Sequence, residues 1–327
     1  MTIDWTKFVE VIQQYQRFLL VSHIRPDCDA LGSELGMAGV LDALGKDVRI
    51  VNGDSIPPNL AFIDPRGRLE VLGDGVTLAD LQEVELLMVL DTSAWAQLGP
   101  MGDALRSLPA RKIVLDHHVG EDDLGAELFK DPEAEATGRL VVDAARHLGV
   151  ALTEEIGMPL FAALATDTGW FRFNSVTEKT YACAAQLLEA GVNPTEIYRQ
   201  LYECDTLGRV KLRGRALERI VVEESGKLAH THLRKEDFSE TGALLSDTED
   251  VVNNLFLVKG VEVAVILLEQ PERGVKISFR SRGMVDCSEL ASLFSGGGHQ
   301  AAAGAFLDDS LEQASVSVLD AVRKQMQ

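Results

Sequence analysis

Acidic and histidine side chains stand directly after short apolar runs of this sequence, at positions where they could bind metal ions. In the clearest case, the run 112–115 leads into Asp116, His117 and His118. Three further runs (18–22, 86–90 and 161–166) lead into His23 with Asp27 and Asp29, into Asp91, and into Asp167. Such runs are typical of buried parallel strands, and open α/β sheets bind ligands at the carboxyl ends of such strands. We therefore expect one site at these endings. The pattern of the run 161–166 is compatible with either a strand or a helix.

The side chains at these endings offer four carboxylates and two imidazoles as metal ligands. They are His23, Asp27, Asp29, Asp91, His117 and Asp167. Carboxylates that pack together raise one another's pKa unless cations neutralise them, so metal binding is the simplest explanation. Six ligands suit two ions that share a bridging carboxylate, the arrangement that activates water and holds a phosphoryl group. Imidazole and carboxylate donors without a thiolate pair favour Mn²⁺, with Mg²⁺ or Co²⁺ as alternatives.

Any one of these residues, taken alone, is more simply explained as a helix cap or as a polar group with a hydrogen-bond partner. The metal interpretation depends on the occurrence of all these endings together. The four cysteines include no Cys-x-x-Cys pair, and Cys28 is interpreted as a small filler between Asp27 and Asp29.

The elements that carry these residues predict an α/β fold in two domains. Apolar runs alternate with helical patterns through residues 1–191, which predicts a mostly parallel sheet covered by helices. Residues 192–219 predict a helical connector, and residues 220–327 a smaller α+β domain, with the active site in the cleft between the domains. In the first domain, Thr137 is a candidate helix N-cap. The free amides of the helix that starts near Ala30 are expected to attract phosphate.

Composition and charge exclude several classes of protein. The 327 residues carry a formal net charge of −20, which argues against a protein that coats long duplex nucleic acid. Neither a membrane-spanning run nor a signal peptide is indicated, so a cytoplasmic enzyme is expected. The basic cluster at 209–219 is expected to be a solvated helix face.

Four motifs in the first domain resemble, in type and in order, those of the DHH phosphoesterase superfamily. They are His23-x-x-Pro26-Asp27-x-Asp29, Asp91-Thr92-Ser93, Asp116-His117-His118 and Thr166-Asp167-Thr168-Gly169. The stretches 277–283 and 296–304 resemble the substrate-binding domain associated with that superfamily. Length and motif choice are most similar to the subgroup of bifunctional oligoribonucleases and 3′-phosphoadenosine 5′-phosphate phosphatases, the nanoRNases.

The resemblance implies a role for each candidate residue of the first domain. His23 and Asp27 would hold the first metal ion, Asp29 and His117 the second. Asp91 and Asp167 would lie at or near the bridge between the ions. His118 would face the scissile phosphate, and Asp116 would orient the histidines, as a carboxylate beside a metal ligand commonly does.

The resemblance also implies a substrate site in the second domain. Its residues would be Ser278, Arg280, Gly296, Gly297, Gly298 and His299. Alternation along a strand places Ser278 and Arg280 on one face, where Arg280 would bind a terminal phosphate. A glycine run alone could equally be a flexible turn. The family often has four glycines before the histidine, whereas Ser295 stands at the first of those positions here.

These implications predict an enzyme that hydrolyses short oligoribonucleotides, linear dinucleotides such as pGpG, or 3′-phosphoadenosine 5′-phosphate, by attack of a hydroxide that two metal ions activate. One alternative is a manganese-dependent inorganic pyrophosphatase, although its Ser-Arg-Lys-Lys signature is absent from this sequence. The other is a nucleotide-binding regulator without catalytic activity. No membrane partner is expected, and the resemblance suggests a homodimer.

Overall fold

The computed structural model of the chain describes residues 3–120, 122–248 and 251–326. It divides into two units, Met1–Cys204 and Asp205–Gln327. Every helix in the described part is too short or too polar to cross a bilayer.

A seven-stranded parallel sheet forms the centre of the first unit. Its strands are β1 (Arg17–Val21), β2 (Asp47–Asn52), β3 (Leu69–Leu72), β4 (Gly75–Val76), β5 (Leu86–Leu90), β6 (Arg111–Asp116) and β7 (Glu127–Lys130). They lie in the order β4-β3-β2-β1-β5-β6-β7. Each residue of β5 is buried, as the continuous apolar run 86–90 predicts for a central parallel strand. Because β1, β5 and β6 are neighbours, the polar residues that follow them meet at one edge of the sheet.

Seven α-helices accompany this sheet. They are α1 (Trp5–Gln14), α2 (Cys28–Ala43), α3 (Met101–Ser107), α4 (Thr137–Leu148), α5 (Glu154–Asp167), α6 (Glu178–Glu189) and α7 (Pro194–Tyr202). The run 161–166 is therefore helical, and Asp167 is the last residue of α5 rather than the end of a strand.

Helices α2 and α5 pack closely because glycines line their contact. A side-chain carbon at Gly32 would lie 2.4 Å from the carbonyl oxygen of Pro159, and one at Gly36 would lie 2.3 Å from the side chain of Leu160. This close approach brings the C-terminus of α5 beside the N-terminus of α2. The packing thus adds Asp167 to a site whose other members come from the ends of strands.

Two predictions about helix starts are wrong. The N-cap of α4 is Ala136, and Thr137 is the first helical residue, with its side chain turned towards Asp91. The first amides of α2 are not free for phosphate, because Asp27 caps the helix and its Oδ1 accepts from the amides of Asp29 and Ala30, both at 3.0 Å.

The second unit is built on a mixed six-stranded sheet. Its strands are β8 (Val221–Glu223), β9 (Leu228–Leu233), β10 (Val263–Glu269), β11 (Val275–Ser281), β12 (Gly297–Gly298) and β13 (Ala302–Leu307), in the order β12-β13-β11-β10-β9-β8. Its helices are α8 (Leu207–Glu218), α9 (Lys235–Thr241), α10 (Cys287–Ser292) and α11 (Leu311–Gln325). The α/β class with a smaller α+β unit is confirmed.

The residues predicted to form a connector, 192–219, divide between the units: α7 belongs to the first and α8 to the second. The basic residues of α8 are largely engaged within the second unit. Arg209 and Arg213 contact Asp205, and Arg219 forms an ion pair with Asp237.

Candidate metal centre

Asp91 lies between two histidines at the centre of the candidate site. Its Oδ2 is 3.4 Å from Nε2 of His23, and its Oδ1 is 3.4 Å from Nε2 of His117. Asp91 follows β5, is buried, and has a left-handed backbone (φ 60°), which aspartate tolerates better than most residues. Each carboxylate oxygen therefore faces a different imidazole, as a bridging ligand would.

The histidine rings are held from their other side by backbone carbonyls. Nδ1 of His23 lies 2.9 Å from the carbonyl oxygen of Ile24, and Nδ1 of His117 lies 3.1 Å from that of Ala134. A proton on Nδ1 donates to the carbonyl, so Nε2 is the nitrogen that faces the carboxylates and that would bind a metal ion once it has lost its own proton. This is the ring orientation that a metal ligand requires.

Asp29 and Asp167 approach His117 from the two helices that meet at the site. Oδ2 of Asp29 is 3.8 Å and Oδ2 of Asp167 is 3.7 Å from Nε2 of His117. The carboxylate of Asp29 also accepts from the amides of Thr137 and Gly138, at 2.8 and 2.9 Å. The N-terminus of α4 thus fixes Asp29, since its first amides have no partner within the helix.

The described residues contain three groups of donor atoms that could hold a metal ion, each with its ligand atoms within 4.8 Å of one another. His23, Asp27 and Asp91 make the first group, and Asp29, His117 and Asp167 make the second. The third, Asp91 with His117 and His118, shares a residue with each of the others. All six predicted ligands are therefore brought together. A carboxylate-rich donor set with one imidazole in each of the first two groups fits two divalent ions of the Mn²⁺ type.

Burial and mutual repulsion perturb the acids of this cluster. Burial raises the pKa of Asp29 well above its usual value, and the charges of Asp91 and Asp167 raise it further. Burial also raises the pKa of Asp167, to about 6. For Asp91, burial is outweighed by hydrogen bonds from His117 and His23, which lower its pKa. Such acids are stabilised when cations are bound, which again favours metal.

His118 borders this cluster, with Nδ1 3.8 Å from Oδ1 of Asp91, and is held by Asp116. Its Nδ1 lies 2.8 Å from Oδ1 of Asp116, which is fully buried and also accepts from the His118 amide at 3.0 Å. The His118 side chain is 54% exposed, so its Nε2 is accessible to a ligand. The hydrogen bond to Asp116 raises the pKa of His118.

In the second unit, Ser278 and Arg280 face a cavity of about 480 Å³ together with Lys276. Arg280 lies opposite Ala302 of β13, whose backbone exchanges hydrogen bonds of 2.8 and 3.1 Å with that of His299. The glycine segment 296–298 forms β12 and the turn beside it, and a side-chain carbon at Gly296 would lie 2.2 Å from the carbonyl oxygen of Gly304. Arg280, His299 and the glycine segment therefore lie near one end of this sheet, while Ser278 lies in the middle of β11, opposite Gly304.

Ser295, which stands where the family often has a further glycine, adopts a left-handed backbone with φ 57°. We expect Ser295→Gly to raise the free energy of unfolding by up to about 1 kcal/mol, because glycine carries no penalty in this conformation. The same change at Ser292, the last residue of α10, should instead destabilise the protein by about 0.5 kcal/mol, because it adds backbone freedom and removes the hydrogen bond from the Ser292 hydroxyl to the carbonyl of Glu289. Urea denaturation of both variants checks the opposite signs, and equal effects would contradict this account.

Comparison with known proteins places this arrangement in a family. Residues 17–166 match the model of the DHH family N-terminal domain, and residues 241–327 match that of the DHHA1 domain. The chain is 33% identical to the bifunctional oligoribonuclease and PAP phosphatase NrnA of Thermus thermophilus, over 94% of this chain and 89% of that protein. The chain belongs to the DHH family.

Two further DHH-family comparisons extend over nearly the whole chain. The Bacillus subtilis NrnA protein is 27% identical over 92% of both chains. The crystal structure of an exopolyphosphatase-related protein from Bacteroides fragilis superposes with a TM-score of 0.89 at 29% identity, covering 98% of this chain and 96% of that chain. The family predicted from the motifs is thus confirmed, and the chain is a DHH phosphoesterase that depends on divalent metal.

The sequence did not reveal two residues that support the DHH site. Lys130, at the end of β7, places Nζ 3.1 Å from Oδ2 of Asp116 and 2.6 Å from Oγ of Ser93. Thr137 donates its hydroxyl to Oδ1 of Asp91 at 2.9 Å. Lys130 follows the apolar pair Leu128-Phe129 in the sequence. That pair is too short, and too near to charged residues, to predict a strand.

We expect Lys130→Met to destabilise the DHH unit, since it takes from the buried carboxylate of Asp116 one of its two cationic partners, Lys130 and His118. Removing one member of a buried ion pair costs about 3 kcal/mol or more. Activity should fall by about 10- to 100-fold, as is usual for a residue that supports a metal site. Arg199→Met, which breaks the exposed pair with Glu196 on α7, should change neither quantity greatly. Urea denaturation and kcat of both variants test this, and equal stability losses would argue against the role of Lys130.

Proposed function

We propose that this enzyme hydrolyses short oligoribonucleotides, linear dinucleotides such as pGpG, and the 3′-phosphate of 3′-phosphoadenosine 5′-phosphate, with two Mn²⁺ ions. One observation carries the proposal: Asp91 directs one oxygen towards each of two histidines, with a separate group of donor atoms on either side. The relatives named oligoribonuclease and PAP phosphatase support the choice of substrates.

In this proposal two of the donor groups would hold one ion each. His23 and Asp27 would hold the first ion, Asp29, His117 and Asp167 would hold the second, and Asp91 would be shared between them. Bound ions would activate a water molecule and neutralise charge on the phosphoryl group. The protein itself fixes the ligands through the backbone contacts of the histidines and of Asp29 described above.

We assign His118 to the leaving side of the reaction. Asp116 accepts from its Nδ1 and raises its pKa, so a larger fraction of the imidazole is protonated. The exposed Nε2 can then donate a hydrogen bond to a phosphoryl oxygen or a proton to the leaving oxygen. Asp116, which contacts His118 rather than the substrate, acts as a positioning residue.

We assign substrate binding to the second unit and catalysis to the first, with domain bounds at 1–191 and 220–327 and the connector 192–219 between them. Arg280 and Lys276 place two cations at one polar cavity, which suits a phosphate group. His299 and the glycine segment lie at the same end of the sheet as Arg280 and offer further donors. A site of this size favours a short substrate over a long strand, as does a net charge of −20.

The test is release of mononucleotide and of free phosphate by the purified protein with Mn²⁺. A 5′-phosphorylated RNA dinucleotide, 3′-phosphoadenosine 5′-phosphate and pyrophosphate are supplied in parallel, and the variant carrying both Asp116→Ala and His117→Ala is the control. Cleavage of the nucleotides by the wild type alone supports the proposal. Cleavage of pyrophosphate only would overturn the substrate assignment, and nucleotide binding without hydrolysis would indicate a regulator.

A further inference from the structure

An unusual turn follows the metal-binding end of α5. Gly169, Trp170 and Phe171 all have left-handed backbones, with φ of 56°, 59° and 61°. Glycine adopts this conformation readily, but for two bulky aromatic residues it is strained. Strained residues cluster at functional sites, where surrounding contacts hold them in place. The strain therefore indicates that this turn holds a particular side chain in position.

Contacts on both sides of the turn hold it in this conformation. The amides of Arg172 and Phe173 both donate to the carbonyl of Thr168, at 2.9 and 3.1 Å. The ring of Trp170 packs on that of Tyr198 with centroids 5.0 Å apart, and the ring of Phe171 stacks on Tyr181 at 5.7 Å. Trp170 and Phe171 thus serve as anchors of the turn.

Phe173 is the residue that this turn presents. The backbone folds back on itself, so the ring of Phe173 lies across Gly169, where a side-chain carbon would be 2.4 Å from it. The residue is nevertheless 54% exposed. Gly169 is two residues beyond Asp167, so the Cα atoms of these two residues lie within about 7.6 Å of each other. A partly exposed aromatic ring therefore lies against Gly169, two residues beyond the candidate metal ligand Asp167.

We propose that Phe173 stacks on the nucleobase next to the phosphate that the metal centre holds. This inference rests on the proposed function, since it needs a nucleotide at the site. In a nucleotide the base is one ribose away from its phosphate, so a phosphate held by the ligand groups would have its base within reach of residues just beyond Asp167, where Phe173 lies against Gly169. Stacking on an aromatic ring accepts any base, because every base has a π-face. Phe173 would thus favour nucleotides over simple phosphates without selecting a sequence.

The experiment measures binding by calorimetry in the presence of Mn²⁺, with two probes that share a phosphate and a ribose. Adenosine 5′-monophosphate carries a base, and ribose 5-phosphate lacks one. Phe173→Leu keeps apolar bulk but removes the ring, whereas Phe173→Trp keeps an aromatic surface. We expect Phe173→Leu to weaken binding of adenosine 5′-monophosphate by at least about fivefold and to leave that of ribose 5-phosphate unchanged, while Phe173→Trp retains both.

Each outcome is decisive. Equal losses for both probes would show that Phe173 only supports the fold of the turn, and no loss for either would exclude stacking. The proposal is also overturned if the wild type binds both probes equally. If the base-dependent loss appears but the wild type cleaves no phosphoester, the stacking site is correct and the proposed hydrolysis is wrong. Circular dichroism of Phe173→Leu verifies that the variant is folded.

Discussion

Asp91→Asn is expected to lower kcat by at least about 10³-fold, a loss of about 4 kcal/mol of transition-state stabilisation. Asparagine has nearly the same shape, but it lacks the charge and has only one oxygen for two ions. The two histidines would face an amide group instead of a carboxylate. The variant should also lose most of the increase in melting temperature that Mn²⁺ gives the wild type, because ligand-induced stabilisation follows affinity.

The control for this variant is Asp103→Asn, which makes the same change on α3. Asp103 is 79% exposed and forms a surface ion pair with Arg106, so its loss should affect neither kcat nor the Mn²⁺-induced shift. Calorimetric titration with Mn²⁺ measures the number of ions bound to each variant. Two ions bound by Asp91→Asn with wild-type affinity would contradict the bridging role of Asp91.

Most of this site can be predicted from the sequence because a change from apolar to polar residues marks the end of each buried strand. Fully apolar runs identify β1, β5 and β6, and neighbouring parallel strands bring the residues after them to one edge. For that reason His23, Asp91 and His117 could be grouped without coordinates. Asp27 and Asp29 followed from their spacing in a short turn.

What the sequence could not predict depends on packing between distant elements. Asp167 reaches the site because Gly32 and Gly36 let α5 approach α2, and a periodic pattern does not show which helices will touch. Lys130 supports Asp116 across strands β6 and β7, a pairing that no local signal indicates. The left-handed turn that presents Phe173 arises from contacts with Tyr181 and Tyr198, which lie on later helices.

The affinity for Mn²⁺ is expected to rise by about tenfold per pH unit for each ion between pH 7 and pH 9. Burial opposes protonation of His23 and His117, but hydrogen bonds to Asp91 outweigh it and raise the two pKa values to about 9 and about 10. In the metal-free protein both imidazoles are therefore protonated at neutral pH. Each must lose a proton before its Nε2 can bind an ion, so increasing pH favours metal.

Calorimetric titration with Mn²⁺ in two buffers of different ionisation enthalpy counts the protons released. We expect about one proton per histidine ligand at pH 7.5, in addition to any from Asp29. An affinity that does not change between pH 7 and pH 9 would contradict the assignment of the histidines as ligands.

The stability of the metal-free protein should follow the opposite trend. A histidine whose pKa is raised on folding stabilises the folded state at low pH, and this contribution is lost as the pH rises through about 9 to 10. Asp167, whose pKa is raised to about 6, acts in the same direction between about pH 4 and pH 6, since the folded state holds its proton longer than the unfolded chain. The metal-free protein thus loses stability with rising pH while its affinity for Mn²⁺ grows, so the Mn²⁺-induced rise in melting temperature should become larger as the pH increases.

In Asp91→Asn the histidines lose the partner that raises their pKa, and the loss of stability should move to lower pH. Melting curves of both proteins with EDTA and with Mn²⁺, from pH 5 to pH 9, separate this linkage from a general effect of pH on the fold.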